Sequence, residues 1–216
     1  MSGKAGIARP IRQTTNGATM TRFLLFFTLI TASLSPAFAA DKCKFESHGV
    51  DSFTKQVVAE TKWKSFRSFG NQVGNHGWMA ARSEGKKQFL GLKVVVVDHD
   101  ATRPERPNLH ENRVLIPMGA KLLILLADDT ILELAASTEA RGKSSFKAPG
   151  DRMGDPGSYI VSTEAIAWYE LTADTRDALL AQGATDIRLS ASDRDHDFTF
   201  GKKPTDRLQY VLGCIQ

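Results

Sequence analysis

The 216-residue sequence predicts an α+β fold, a mainly antiparallel β-sheet with about two C-terminal helices packed on it. Three observations carry that expectation. Residues 121–137, KLLILLADDTILELAAS, place two short apolar runs on either side of Asp128 and Asp129, a hairpin pattern. Val94, Val95, Val96 and Val97 form an unbroken β-branched run, which suits a strand. A helical period emerges only late in the chain, where Leu208, Val211, Leu212 and Ile215 recur at i, i+3, i+4 and i+7.

The chain opens with a basic segment holding Lys4, Arg9, Arg12 and Arg22, followed by the apolar run FLLFFTLITASL and then by SPAFA. This is a secretory leader pattern, with residues 1–39 cleaved after Ala39 and residues 40–216 left as a single β-rich α+β domain. Residues 1–19 lack any apolar period, which makes Met20 an alternative start. The apolar run falls short of the roughly 20 residues that span a bilayer, which disfavours a retained anchor. The whole chain holds 28 Lys and Arg against 24 Asp and Glu. The four leader cations account for the difference, so the mature part is formally neutral. A neutral domain has no basic excess with which to neutralise phosphates, and this argues against a nucleic-acid partner.

Two cysteines, Cys43 and Cys214, stand near the two ends of the mature part. In an oxidising compartment such a pair is expected to form one structural disulfide. No CxxC or clustered histidine supports a catalytic thiol or a metal pair. Lys42 precedes Cys43 where a lipid-acceptor cysteine needs a small residue.

Taken in order, Phe53, Val57, Ala59 and Trp63 suggest a strand within residues 50–69, and residues 70–77, GNQVGNHG, a loop. Residues 78–83 and 88–98 read as a hairpin around Glu84, Gly85 and Lys86, its second arm buried on both faces. Residues 98–112, DHDATRPERPNLHEN, form a long polar loop, and residues 113–116 return to a strand. In the 121–137 hairpin, central turn residues Asp128 and Asp129 would set Leu126 opposite Ile131 and Leu123 opposite Leu134. Both faces of its first arm are apolar, so cover on both sides is expected, worth on the order of 10 kcal/mol before entropy. A short strand surrounds Phe146, and Pro149, Gly150, Asp155, Pro156 and Gly157 mark turns. Residues 159–171 form a strand. Thr172 or Asp174 caps a helix over residues 175–182 that Gly183 ends. Strands follow at 186–191 and around Phe198 and Phe200, and Pro204 suits the first turn of the last helix.

Chemical constellations are sparse. Asp193, Asp195 and Asp197 alternate around His196, as a calcium loop requires, but Phe198 and Pro204 replace the glycine and glutamate of an EF-hand. Asp98, His99, Asp100, His110 and Glu111 bracket one loop that offers some zinc-type ligands. Solvated turns are the commoner use of both segments. His48 and His76 are isolated. Ser144 and Ser145 lack the glycines of a nucleophile elbow, and Gly70, Gly74 and Gly77 miss the dinucleotide spacing. Trp63, Trp78, Trp168 and Tyr169 read as sheet-packing residues before a ligand platform. No catalytic, cofactor or metal residue is assigned. The expected function is that of an exported bacterial envelope protein, periplasmic or secreted, a non-enzymatic binding or accessory domain for an envelope protein or a small molecule. The alternatives are an envelope hydrolase whose site assembles only in three dimensions, and a metal-binding protein using the loop of Asp193 to Asp197 or that of Asp98 to His110.

Overall fold

The computed structural model describes residues 43–67, 74–100, 114–147 and 159–215. The expected leader, residues 68–73, most of the loop expected at 98–112 and the turns expected at 149–157 lie outside the described residues. Thirteen strands and two helices make up the described part. Strands β1 (Phe45–Val50), β2 (Val57–Thr61), β3 (Lys64–Arg67), β4 (Gly74–Glu84) and β5 (Lys87–Asp100) come first. The short β6 (Leu115–Ile116), β7 (Lys121–Leu126), β8 (Ile131–Ala135), β9 (Ala140–Arg141), β10 (Lys143–Lys147) and β11 (Tyr159–Leu171) follow. Helix α1 (Ala173–Gln182), β12 (Ala184–Ser190), β13 (Asp195–Thr199) and α2 (Lys202–Gly213) close the order.

The fold is the expected α+β class. A seven-stranded sheet runs β1-β2-β4-β5-β11-β10 with β3 also beside β4, and a four-stranded sheet runs β13-β12-β7-β8. Every strand pair in them is antiparallel. The inner faces share one core. Met79, Ala81, Leu90, Leu92, Val94, Ala165, Ala167 and Tyr169 of the larger sheet meet Leu122, Ile124, Leu126, Ile187, Leu189 and Phe198 of the smaller. Three alanines on that inner face leave room for the opposing leucines, the size alternation that close packing needs.

The central hairpin departs from its expected register. Leu122 lies opposite Leu134 and Leu125 opposite Ile131, one residue away from the two-residue turn. The connection is a three-residue loop: the Asp129 N–H donates to the Leu126 carbonyl at 3.2 Å, and the Leu126 N–H donates to that of Thr130 at 2.8 Å. Asp129 supplies the left-handed step at φ +66°. Aspartate tolerates that conformation because its short polar side chain bonds locally. A slip of one residue exchanges faces along the second arm. Leu122, Ile124, Leu126 and Leu134 are buried inward, whereas Leu123 and Leu125 are half-buried and Ile131 is 63% exposed. The expectation of cover on both faces is therefore corrected.

Other boundaries shift. Phe53 belongs to no strand; it stands 93% exposed in the turn between β1 and β2. Residues 74–77 extend β4 rather than forming a loop. Gly77 is needed there because a Cβ would lie 2.1 Å from the Phe66 ring. That ring stacks on Phe200 and meets Phe198 edge-on, both at 5.0 Å. Thr172 is the N-cap of α1, its Oγ1 accepting the Thr175 N–H at 3.1 Å, and Gly183 at φ +72° closes the helix. The apolar stripe of α2 is buried through Leu208, Val211 and Leu212, with Ile215 just beyond. The expected disulfide joins Cys43 to Cys214 with the α-carbons 5.7 Å apart.

Candidate ligand groove

Alternation along β4, β5 and β11 fixes what the larger sheet turns outward. Register pairs Trp78 with Lys93, Trp168 with Gly91 and Arg82 with Phe89. Directly paired residues share a face, so these side chains stand together on the side opposite the core. Trp63, in the connection just before β3, joins them. All three tryptophans of the chain are half-buried on this outer face, while Tyr169 is fully buried in the core. The sequence reading placed the four together; the pleat separates them.

Cations are interleaved with the rings. The Lys93 ammonium lies 5.5 Å from the Trp63 ring centre and 5.2 Å from that of Trp78, and the Arg82 guanidinium lies 5.7 Å from Trp168. At these distances the ring quadrupole attracts the charge. Trp63 and Trp168 touch at 5.6 Å, tilted by 58°. Trp168 also roofs Gly91, where a Cβ would come within 2.6 Å of its ring. Carboxylates complete the layer: Glu164 lies 3.7 Å from Lys93, Glu170 3.4 Å from Lys87, and Glu84 pairs with Arg82. Burial raises the Glu60 carboxyl above its ordinary pKa, against the Arg82 charge and a hydrogen bond with Trp63.

At one end this layer meets α2 in a groove of about 480 Å³ lined by Trp63, Lys64, Ser65, Trp78, Lys203, Asp206, Arg207 and Tyr210. The α2 contribution is a second stripe at i, i+3, i+4 and i+7, set apart from the core stripe on the same helix. Its position is firmly held. The disulfide ties the end of α2 to the first described residues, and the adjacent Lys44 N–H donates to the Tyr210 hydroxyl at 3.0 Å. Arg207 donates to the Ser65 carbonyl and, at 3.0 Å, to its Oγ. The Lys64 ammonium stands 5.1 Å from the Tyr210 ring centre. Three cations, Lys64, Lys203 and Arg207, and one carboxylate, Asp206, line the groove, and a fourth cation, Lys93, stands beside its tryptophans in its pair with Glu164. At the opposite end of the layer, Arg82, Glu84, Lys87, Phe89, Trp168 and Glu170 line most of a cleft of about 310 Å³.

The other candidates disperse. Asp197 points outward into an ion pair with Arg188 at 2.7 Å, and Asp193 approaches His196 at 3.5 Å. His196 is fully buried, and burial holds its pKa below the ordinary value despite Asp193. Among the described residues no three His, Cys, Asp or Glu side chains are grouped to hold a metal ion. Residues 101–113, with His110 and Glu111, lie outside the described residues. His76 is buried in β4, and His48 is exposed in β1. Ser144 pairs with Thr163 at 2.9 Å, and the Ser145 hydroxyl donates to the Ser162 carbonyl at 3.4 Å. No described helix is long and apolar enough to cross a membrane. The sequence reading missed Arg82, Lys93 and the α2 stripe. The signals were present as alternation from Trp78 to Arg82 and as a second helical period in the last segment.

Fold and site together define an antiparallel α+β protein bearing an aromatic, cationic surface groove. Compared with protein-family models, curated proteins and solved structures, the chain matches none.

Proposed function

We propose that the chain is a non-enzymatic binding domain of the bacterial cell envelope, periplasmic or secreted after removal of residues 1–39, and that its ligand occupies the groove between β3, β4 and α2. The observation that carries this reading is the convergence of Trp63, Trp78 and Tyr210 with three cations in one concave, braced site beside Lys93. Flat rings supply contact area at low conformational cost, and charges at the rim set orientation. The disulfide suits an oxidising compartment. Soluble glycan and peptide fractions of an envelope digest, passed over the immobilised mature protein and over a Trp63→Ala, Trp78→Ala variant, test the reading. The wild type is expected to retain a fraction that the variant releases. Equal elution from both columns overturns it.

A further inference from the structure

The outer face continues beyond the groove, and the continuation bears on what kind of molecule it takes. From Trp78 to Glu84, β4 advances by about 20 Å at the usual rise of a strand. Along that length the surface passes from the α2 groove, across Lys93 and the Trp63–Trp168 contact, into the cleft beside Arg82. Both concavities lie on the same side of the sheet, so an extended molecule can occupy them together. The Arg82 Nε in the second is buried without a hydrogen-bond partner among the described residues. Resting on the binding reading above, we infer that the ligand is an acidic glycan, a chain of sugar rings carrying sparse carboxylates, which lies along this track.

Three features select that chemistry. Indole faces pack well against the C–H faces of pyranose rings, and the face has three indoles. Hydroxyl groups both donate and accept, so a polyol needs a mixed lining of cations and carboxylates, which Lys93 with Glu164 and Lys87 with Glu170 provide. A single-stranded nucleic acid would stack on the same rings but would bring one phosphate per residue past those carboxylates. The cationic excess is confined to the α2 end, where Lys64, Lys203 and Arg207 outnumber Asp206; a carboxylate on the glycan is seated there.

Tryptophan fluorescence and calorimetry of the mature protein test this with four probes: a long and a short oligogalacturonate, a neutral cello-oligosaccharide and oligo-dT. The long oligogalacturonate is expected to bind tightest, weaken with salt, and lose about tenfold or more with Trp63→Ala or Trp168→Ala. Lys203→Gln and Lys87→Gln, both at exposed side chains and therefore compatible with folding, each weaken the long probe by up to about fivefold. Only Lys203→Gln weakens the short one. Oligo-dT or the neutral oligomer binding as tightly, or no oligogalacturonate binding at all, overturns the acidic-glycan assignment. If the envelope fraction is still retained in a Trp63- and Trp78-dependent way, the binding reading survives that failure. Long-probe binding indifferent to both Trp168→Ala and Lys87→Gln overturns the extended track.

Discussion

The two sheets present outer faces of opposite character. On the larger sheet Trp63, Trp78 and Trp168 stand among Lys93 and Arg82, and Ala80 and Gly91 are buried at their base. On the smaller sheet Leu123, Leu125 and Ile131 line a shallow hollow of about 450 Å³, bordered by the pair of Arg188 and Asp197. The difference lies in side-chain shape and polarity. An indole covers a neighbouring strand with its body and attracts a cation with its face, whereas an isobutyl group offers area alone. One sheet therefore roofs itself, and the other is closed only from within.

The largest break in that contrast is expected from the disulfide, because it anchors the end of α2, which lines the groove on the roofed face. Replacing Cys43 and Cys214 together by Ser should cost about 5 kcal/mol in urea unfolding, the chain-entropy value for so long a loop. The fluorescence of the groove tryptophans should change under conditions where the protein remains folded. Next comes a pair of truncations on adjacent positions of β7. Ile124→Ala, facing inward, should cost about 2–5 kcal/mol, and Leu125→Ala, facing the open hollow, about 1 kcal/mol or less. Equal costs would mean that the outer face of the smaller sheet is covered after all. Gly91→Ala should destabilise by about 1–3 kcal/mol and shift the tryptophan emission, since the new methyl displaces Trp168.

The smallest effect sharpens the comparison through pH. His196 lies under the open sheet, and its folded pKa is below the ordinary 6.5 because burial disfavours the imidazolium, an effect that outweighs the Asp193 charge. The unfolded chain then binds the extra proton. Stability from this residue is complete above about pH 6.5 and declines as the pH falls from there toward the folded pKa. Between about pH 7.5 and pH 5 the wild type should lose more stability than His196→Leu, as urea midpoints of the two proteins would record. An identical loss in both would show that burial does not lower the His196 pKa on folding.

Much of the architecture was legible because burial imposes period. The valine run of β5, the apolar stripe of α2, the Thr172 cap and the Gly183 stop each act over a few residues, and each stands where its local pattern put it. Registers were less legible. The turn at Asp128 and Asp129 could close with two residues or three, and both options leave apolar side chains on each face of the first arm. Only the position of the second sheet decides which face goes inward. The aromatic outer face was least legible, since Trp63, Trp78, Trp168 and Tyr210 come from separate segments of the chain and individually resemble ordinary core aromatics.

By itself, the sequence determined the class of fold, the pairing of its two cysteines and the formal neutrality of residues 40–216. Those properties follow from composition, short-range period and the number of thiols available to pair. Tertiary structure alone decided that Tyr169 lies inside while the three tryptophans lie outside, and that a helix stripe more than a hundred residues from Trp63 and Trp78 completes the groove they line. The physical reason is that facing within a sheet is set by register and by what packs on the other side, and neither is encoded within reach of a single segment.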